Sequence, residues 1–320
     1  MTARRHHFIP RCYLKGFTVE RKKQRQITVF DGVEKKTFLT SIENVAVERD
    51  FNRFEADGVA PDAFENKMAE MESEIATALG SIIEKRSIAG EEDRILLMNF
   101  ICLLALRNPR FRETMRDFQE RVSKRMISMS LRTPEIWNAQ TERGKKAGFI
   151  DPDSSLSYEE AKEFVARNEY SIEVPTERHI QMELKAFDKA LPTFFGRKWS
   201  LLRASSSSAG FITSDHPVIL AFVDPKMGGG VYSPGFGLSG TEVTFPISSH
   251  LAVAGTFETK AGVYDVDENF VAAVNGGQVI YSERQIYARD SNFHYTVVLD
   301  QPPRKASKLI DDKHFRKTAL

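Results

Sequence analysis

The spacing of apolar residues along the middle of the chain predicts helices. Between residues 62 and 195 apolar positions recur every three or four residues, starting with Met68, Met71 and Ile75, which is the period of a helix with one buried face. The run from Ile95 to Leu106 is apolar at all positions but one and predicts a helix that is buried on nearly all sides. Helices are predicted over residues 68–82, 91–107, 112–129, 158–167 and 176–191.

Strand-like patterns appear on both sides of this helical region. Near the N-terminus, Ile27–Phe30 and Thr37–Thr40 flank Asp31-Gly32, a dipeptide typical of hairpin turns. From Lys198 onward the period changes to two, and one helix is expected over about residues 267–276. The strands predicted there are 199–201, 211–212, 218–223, 241–247, 251–257, 285–288 and 295–299. The pattern therefore predicts an α+β fold, in which a central helical layer packs on a largely antiparallel C-terminal β-sheet, with a short N-terminal β segment.

These changes of period divide the chain into four segments. Residues 1–60 hold a histidine-rich start and a β-hairpin, residues 61–196 are helical, residues 197–300 are rich in strands with one helix, and residues 301–320 form a basic tail. A chain of 320 residues is long enough for a sizeable core and corresponds to about two domains of average size.

Composition, cysteine use and hydropathy exclude several classes of protein. Hydrophobic residues make up 41% of the chain and charged residues 28%, which excludes collagen, low-complexity chains and disordered acidic tails. Cys12 and Cys102 lie far apart and indicate neither a disulfide framework nor a thiolate zinc site, so a reducing, cytoplasmic location is expected. The apolar run of twelve residues is shorter than the roughly twenty that a bilayer requires, so no membrane partner is expected.

Positive charge is concentrated at the two ends of the chain, although the net charge is only +1. Residues 1–25 hold eight Lys and Arg against the single acid Glu20, and residues 304–320 hold six against Asp311 and Asp312. Such blocks attract polyanions, which makes RNA or DNA the expected partner. The alternative is that both ends are solvated and partly disordered, although the large apolar residues interleaved in the first block must pack somewhere.

The first candidate functional residues are a histidine and an arginine, each next to residues that restrict its position. His7 lies three residues before a proline and next to large apolar residues, so its imidazole could act as a general base, a general acid or a metal ligand. His6 is a weaker candidate, and a surface pair is the alternative for both. Arg107 ends the buried helix, where its guanidinium needs a partner, either a structural ion pair or an anionic ligand. Arg110 and Arg112 are expected to face solvent.

A second set of candidates lies in a polar turn and on a helix. The turn 213–217, with the sequence Thr-Ser-Asp-His-Pro, places a carboxylate and an imidazole between two apolar stretches. Asp215 is predicted to act as a base, a metal ligand or the orienter of a histidine. The alternative is an Asx-type turn in which Asp215 caps its own backbone. His179 has Glu183 one turn later on a predicted helix, an arrangement that binds a metal or, more commonly, forms a surface pair.

Several motifs spread over nearly the whole chain resemble those of the bacterial family catalogued as DUF4238, a domain of unknown function. The motifs are His7-x-x-Pro10-x-x-Tyr13-Leu14-x-x-Phe17, Arg107-Asn108-Pro109, Trp199-x-Leu201-Leu202, Thr213-Ser214-Asp215-His216-Pro217, and Phe245-Pro246 followed by Asn275. The opening motif and the Thr-Ser-Asp-x-Pro turn are the specific ones. The chain departs from the family at His216, where the family usually has asparagine. The resemblance implies a shared fold and supplies no activity.

The leading hypothesis joins the motif residues in one pocket between the helical layer and the sheet. It describes a hydrolase or nuclease-like protein acting on a phosphate-bearing substrate, RNA or DNA, in which histidine moves a proton and arginine holds developing negative charge. The residues predicted to be catalytic are His7, Arg107, His179 and Asp215. The residues assigned to substrate binding are Arg11, Ser214 and Asn275.

Two alternatives stand beside this hypothesis. The first is a non-catalytic binding module, such as a component of phage defence or of a toxin–antitoxin pair, in which the same residues form a structural network or a ligand site. The second is a metal-dependent hydrolase that uses His7, His179 and Asp215. The sequence contains no P-loop, dinucleotide fingerprint, nucleophile elbow or zinc-hydrolase motif, and it assigns no cofactor and no oligomeric state.

Overall fold

The computed structural model of the protein describes residues 5–21, 23–52, 63–227, 232–298 and 301–315. The chain forms two compact units, one made of residues 1–110 and 180–320 and the other of residues 111–179. Both boundaries fall inside the region 61–196 that the sequence predicts to be helical.

The elements of the described residues confirm an α+β fold. The helices are α1 (Arg11–Leu14), α2 (Ala63–Lys85), α3 (Glu91–Leu106), α4 (Pro109–Ser130), α5 (Pro134–Lys146), α6 (Tyr158–Arg167), α7 (Thr176–Gly196) and α8 (Glu268–Tyr281). The strands are β1 (Arg5–His7), β2 (Val19–Arg21), β3 (Gln24–Asp31), β4 (Lys36–Ser41), β5 (Val47–Arg49), β6 (Lys198–Ala204), β7 (Thr213–Ser214), β8 (Ile219–Phe222), β9 (Thr241–Ser248), β10 (Leu251–Thr256), β11 (Val263–Val266), β12 (Gln285–Ala288), β13 (His294–Tyr295) and β14 (Arg304–Lys305). None of these helices has the length and apolarity needed to cross a bilayer.

Local signals explain where two of the predicted helices begin and end. α3 opens with three acidic residues, whose charge is favourable at a helix N-terminus, and it ends just before Arg107, two residues ahead of Pro109. α6 opens with a capping box, in which the Ser157 side chain accepts from the N–H of Glu160 and the Glu160 carboxylate accepts from the N–H of Ser157. Both helices therefore occupy the ranges that their sequences predict.

One five-stranded sheet packs against helices through aromatic rings. Its strand order is β11-β6-β10-β9-β8, antiparallel except for the β11–β6 pair. Tyr13 of α1 stacks on Phe245 of β9 with ring centroids 5.0 Å apart, and Phe100 of α3 meets Phe245 edge-on at 6.0 Å. All three rings are fully buried, so the apolar residues of the basic N-terminal block belong to the main core.

The second five-stranded sheet joins the two ends of the chain. Its strand order is β2-β3-β12-β7, and β4 also pairs with β3, which confirms the hairpin predicted around Asp31-Gly32. Ile286 of β12 lies opposite Phe30 of β3 on one side and Ser214 of β7 on the other, both antiparallel. The N-terminal β segment is therefore part of a sheet with C-terminal strands. Periodicity could not show this, because it carries no information about pairing between distant strands.

Short strands and one polar helix escape the sequence pattern. β1 and β5 pair with each other although each is only three residues long. α5 lies where the sequence predicts no helix, although Thr133 caps its N-terminus and Pro134 follows as its first residue, both of which are helix-start signals. Phe211 and Ile212, predicted as a strand, are buried next to β7 without forming a strand themselves. Of the strand predicted over 295–299, Tyr295 lies in β13, residues 296–298 lie in no strand, and residue 299 is outside the described residues. Burial and strand pairing are separate properties, and the pattern detects only the first.

The segment predicted to be a basic tail contributes to the core. Ala306, Leu309 and Phe315 are buried in one apolar cluster with residues of the second sheet, including Phe30 and Ile286. Lys308 and Lys313 lie between these buried residues and Arg304 pairs with the buried Asp312, so a count of charges alone indicated a solvated end. Residues 316–320 lie outside the described part of the chain.

Asp312 fixes this segment, and its removal is expected to weaken the fold in a pH-dependent way. Its carboxylate accepts hydrogen bonds from Nη1 of Arg304 at 2.6 Å, the hydroxyl of Tyr295 at 2.9 Å and the N–H of His314 at 3.0 Å. Although burial alone would raise the pKa of Asp312, these donors hold it well below its usual range. Because the folded pKa is depressed, the stabilisation is present above the unfolded value of about 4 and is lost as pH falls below it.

We expect Asp312→Asn to lower the free energy of unfolding by about 2 kcal/mol at neutral pH. The variant should also lose stability less steeply than the wild type between about pH 4 and pH 2, because it lacks the titrating group. Urea denaturation across this range measures both effects. Acid limbs of equal slope in the two proteins would contradict the assignment.

Candidate functional site

Three of the motif-bearing segments meet at one cavity of about 330 Å³, which we call the Asp215 pocket. Phe8 comes from the connection between β1 and α1, Asn108 and Pro109 come from the start of α4, and Asp215 and His216 follow β7. The remaining lining residues are Asn44, Ala46, Val47, Glu48, Arg110, Glu283, Arg284, Gln285 and Tyr287. Segments far apart in sequence therefore converge, as the leading hypothesis requires.

The carboxylate of Asp215 is committed to the backbone that leads into β12. Its Oδ1 accepts a hydrogen bond from the N–H of Glu283 at 2.8 Å, and its Oδ2 accepts from those of Arg284 at 2.6 Å and Gln285 at 2.8 Å. The side chain is 8% exposed, and burial raises the pKa of Asp215 to about 6 against the opposing effect of these donors. Asp215 thus caps a backbone segment distant in sequence, whereas the alternative interpretation expected it to cap its own turn.

The two residues before Asp215 hold β7 inside the core. The Tyr13 hydroxyl donates to a backbone carbonyl of β9 at 2.8 Å, so the hydroxyl of Thr213, 2.7 Å from the Tyr13 oxygen, is the donor in that contact. Ser214 is fully buried, and its hydroxyl donates to Oε1 of Gln278 at 2.7 Å. The hydroxyl assigned to substrate binding at Ser214 is therefore used within the fold.

Asn275 is buried in α8 and bonds only to backbone atoms. Its Oδ1 accepts from the N–H of Ile212 at 3.0 Å, and its Nδ2 donates to the carbonyls of Gly210 at 3.0 Å and His294 at 2.8 Å. The residue has no exposed surface and does not line the Asp215 pocket. Its amide ties α8 to the segments before β7 and at β13, a positioning role that differs from the predicted contact with substrate.

Arg107 takes part in a buried network that also includes His6. It is 2% exposed, its Nη2 donates to Oδ1 of Asn52 at 2.5 Å, and its guanidinium carbon lies 5.2 Å from the centre of the Phe51 ring. The N–H of Asn52 donates to Nδ1 of His6 at 2.9 Å. Because Nδ1 is the acceptor, a neutral His6 carries its proton on Nε2. The network ties β1 and the residues after β5 to the end of α3.

Neither His7 nor Arg107 lines the Asp215 pocket. His7 lies in β1 opposite Val47 and is partly buried, while the next residue, Phe8, reaches the pocket. Arg107 lines a different cavity, of about 350 Å³, formed by residues of α2, α3 and α7. Of the four residues predicted to be catalytic, the pocket contains Asp215, together with chain neighbours of two others.

The remaining predicted residues lie outside the pocket. His179 belongs to the 111–179 unit, where burial and the nearby charges of Arg112 and Arg116 lower its pKa. Arg11 is exposed on α1, with its Nη1 3.9 Å from a carboxylate oxygen of Glu43. A pair at this distance on the surface is worth little energy and leaves Arg11 open to solvent.

The Asp215 pocket contains two arginines, each paired with a carboxylate. Arg110, whose side chain is 34% exposed, forms an ion pair with Glu283, a partner that the expectation of a solvent-facing residue did not include. Nε of Arg284 donates to Oδ2 of Asp31 at 2.8 Å. Asp31 is almost fully buried, which would raise its pKa, but backbone N–H donors and the side chains of Gln285 and Arg284 hold the pKa below its usual value. Glu48 and Asp215 also line the pocket, so three carboxylates and two guanidinium groups line it, and the buried Asp31 adds a fourth carboxylate beside Arg284.

Across the described ranges, no three His, Cys, Asp or Glu side chains come close enough together to hold a metal ion. Both carboxylate oxygens of Asp215 already accept backbone N–H bonds. The metal-dependent alternative based on His7, His179 and Asp215 therefore has no ligand cluster among these residues.

Among the pocket residues that the sequence did not mark as candidates are Arg110 and the run Glu283-Arg284-Gln285. The run contributes chiefly its backbone N–H groups, which have no signature in the sequence. One signal was available at the N-terminus. If residues 5–7 form a strand, alternation places only one of His6 and His7 toward the interior, and the structure buries His6.

The model of a family described as a protein of unknown function, DUF4238, matches residues 5–292 of the 320-residue chain. No curated protein and no solved structure matches the chain. Every motif on which the resemblance rests, from His7 to Asn275, lies inside the matched range. With nine-tenths of its length matched, the chain belongs to the DUF4238 family.

Proposed function

We propose that the protein is a binding module whose Asp215 pocket holds one nucleotide unit, free or as part of RNA or DNA, without hydrolysing it. The observation that carries the proposal is the use of Asp215. Three motif segments converge on a cavity, yet the one predicted catalytic carboxylate in it is bonded to three backbone N–H groups. A carboxylate held in this way maintains the shape of the pocket and is poorly placed to accept a substrate proton.

The arginine–carboxylate pairs of the pocket support a ligand with an anionic group, which can exchange with a carboxylate at a guanidinium. A phosphate can replace the carboxylate of Glu283 as the partner of Arg110, because guanidinium binds both groups with two parallel hydrogen bonds. A cavity of about 330 Å³ is at the lower end of the range that ligand pockets occupy, which suits a single nucleotide.

The N-terminal basic block supports a polyanionic form of the ligand. The Lys and Arg residues of this block that the structure describes are all exposed: Arg5, Arg11, Lys15, Arg21, Lys23 and Arg25. Exposed cations attract phosphates over a distance of about a Debye length and give binding that weakens with salt. The proposal includes a cytoplasmic location, in keeping with Cys12 and Cys102, which are free thiols.

The test compares two variants that should change nucleotide affinity in opposite directions. Binding is followed through the ring signals of His216, which lines the pocket. The four ribonucleoside 5′-monophosphates, a short single-stranded RNA and a short single-stranded DNA are titrated into the protein and followed by NMR. Arg110→Gln should weaken binding roughly tenfold, because one charge-assisted hydrogen bond is lost. Glu283→Gln should strengthen it, because Arg110 is released from its ion pair. Arg116→Gln, an exposed arginine of the same helix, is the control and should bind as the wild type does.

A hydrolase is the second candidate, and the pKa of Asp215 is the observation that favours it. A carboxyl group with a pKa of about 6, next to His216 in an open pocket, is charged only above that pH and would serve as a base there. Chromatography of the same samples decides between the candidates. Product formed by the wild type and lost in a folded Asp215→Asn variant would replace the binding proposal with the hydrolase. A change of the His216 signals on addition of nucleotide, without formation of product, supports the binding module.

A further inference from the structure

A further cavity, distinct from the two described above, has a histidine and positively charged residues around it. It has a volume of about 620 Å³ and shares no lining residue with the Asp215 pocket. His250, in the turn between β9 and β10, faces it, as do Arg86 after α2 and the serine turn 205–208 after β6. Nη1 of Arg289, the residue after β12, lies 3.4 Å from Nε2 of His250.

The cations of this cavity lack acidic partners in the described part of the chain. Neither Arg86 nor Arg289 has a carboxylate within ion-pair distance there, and both lie close enough to His250 for their charges, together with burial, to lower its pKa. The carboxylate in the lining, that of Asp265, is paired with Arg203, which donates to both of its oxygens at 2.8 and 2.7 Å. Two guanidinium groups, that of Arg86 in the lining and that of Arg289 beside His250, therefore lie at this site without a carboxylate partner among the described residues.

The serine turn adds uncharged donors to the same wall. Ser205, Ser206 and Ser208 line the cavity, and the Ser208 hydroxyl donates to the carbonyl of Ser205 at 3.0 Å, which closes the turn. The Ser206 hydroxyl makes no hydrogen bond to any residue that the structure describes. The guanidinium groups donate only, and the serine hydroxyls and the imidazole can donate as well, so the site can offer several donors to an anion with several oxygens.

We propose that this cavity binds a phosphate group, with Arg86 and Arg289 as the charged partners, His250 between them and the serine turn supplying neutral donors. A tetrahedral phosphate presents acceptors in several directions at once, and its negative charge offsets the positive charges of Arg86 and Arg289. A carboxylate would satisfy fewer of these donors. The site is separate from the Asp215 pocket and does not depend on what that pocket binds.

The response of His250 to phosphate tests the site directly. The ring C–H signals of His250, assigned by a His250→Gln variant, are followed by NMR through a pH titration at constant chloride. Inorganic phosphate should raise the pKa of His250 by about one unit, because an anion stabilises the imidazolium. Arg86→Gln and Arg289→Gln should each weaken phosphate binding at least about fivefold. Arg132→Gln, an exposed arginine of the other unit, and Arg110→Gln should leave it unchanged.

The source of the phosphate is identified by two further ligands. Uridine 5′-monophosphate and a short oligouridylate without a terminal phosphate are titrated in the same way. A response to the mononucleotide but not to the oligomer supports a phosphomonoester or free phosphate, and a stronger response to the oligomer supports the backbone of a nucleic acid. No change of the His250 pKa with any of the three ligands, or binding by both arginine variants as tight as in the wild type, would overturn the site. Because Arg110→Gln affects only the Asp215 pocket, failure of one proposal is distinguishable from failure of the other.

Discussion

Replacing Gly276 by alanine is expected to lower the free energy of unfolding by about 3 kcal/mol or more. Gly276 lies in α8, and a Cβ atom at this position would be 1.7 Å from the carbonyl oxygen of Thr296. The obstacle is backbone, so no side-chain rotation can relieve it. The same backbone is fixed from two sides, since the N–H of Thr296 donates to the carbonyl of Ala272 at 2.8 Å and Asn275 donates to the carbonyl of His294.

Gly80 provides the matched control for this substitution. It lies in α2 with nothing within 4 Å of the position that a Cβ would occupy. Gly80→Ala should therefore stabilise the protein by about 0.5–1 kcal/mol, because alanine loses less conformational freedom than glycine in a helix. Urea denaturation of both variants measures the contrast. Equal stabilities of the Gly276→Ala variant and the wild type would show that α8 can move away from the chain at Thr296.

The close contact at Gly276 explains how α8 positions the Thr-Ser-Asp turn. One turn of this helix contains Asn275, which bonds to the N–H of Ile212, and Gln278, which accepts from the Ser214 hydroxyl and donates to the carbonyl of Pro217. These bonds hold the residues on both sides of Asp215. A helix displaced by a methyl group at Gly276 could not keep all of them. The Asp215 pocket therefore depends on packing at a residue that does not line it.

Most helices could be predicted from the sequence, because burial of one face imposes a period that a single segment displays. The run Ile95–Leu106 and the acids that precede it are sufficient to define α3. α5 shows the limit of this reasoning, since its start is marked by the capping Thr133 and by Pro134 and not by a period of buried residues. The strands β1 and β5 show a second limit, because three-residue strands are stabilised by a partner some forty residues away and not by their own pattern.

The sequence predicted which chain segments form the candidate site, but not which side chains of those segments line the cavity. The sequence singled out the stretches around His7, Arg107 and Asp215, and the structure brings parts of all three to one cavity. Which side chain of each stretch faces the cavity depends on strand and helix orientation, so Phe8 and Asn108 line it in place of His7 and Arg107. The partners of Asp215 are backbone N–H groups, which every sequence possesses and no motif marks.

The second large effect is expected at Asp215, where alanine should cost about 3–5 kcal/mol of folding free energy. The substitution leaves the N–H groups of Glu283, Arg284 and Gln285 without their acceptor in a site that is 8% exposed. Asp215→Asn should cost somewhat less, about 2–4 kcal/mol, because one oxygen remains while the amide nitrogen faces a backbone donor.

Asp224 offers a control of the same chemistry on the surface. Its Oδ1 accepts one backbone N–H, that of Lys226 at 2.9 Å, and the residue is exposed, so Asp224→Ala should change stability by no more than about 0.5 kcal/mol. Urea denaturation at neutral pH compares the two sites. Asp215 acts on the ligand if the Asp215→Asn variant unfolds at the same urea concentration as the wild type, but its His216 ring signals no longer change when nucleotide is added. If the variant is less stable but its folded molecules still bind nucleotide with wild-type affinity, Asp215 belongs to the framework of the pocket. Only a group that the backbone requires lowers the stability when it is removed in the absence of ligand.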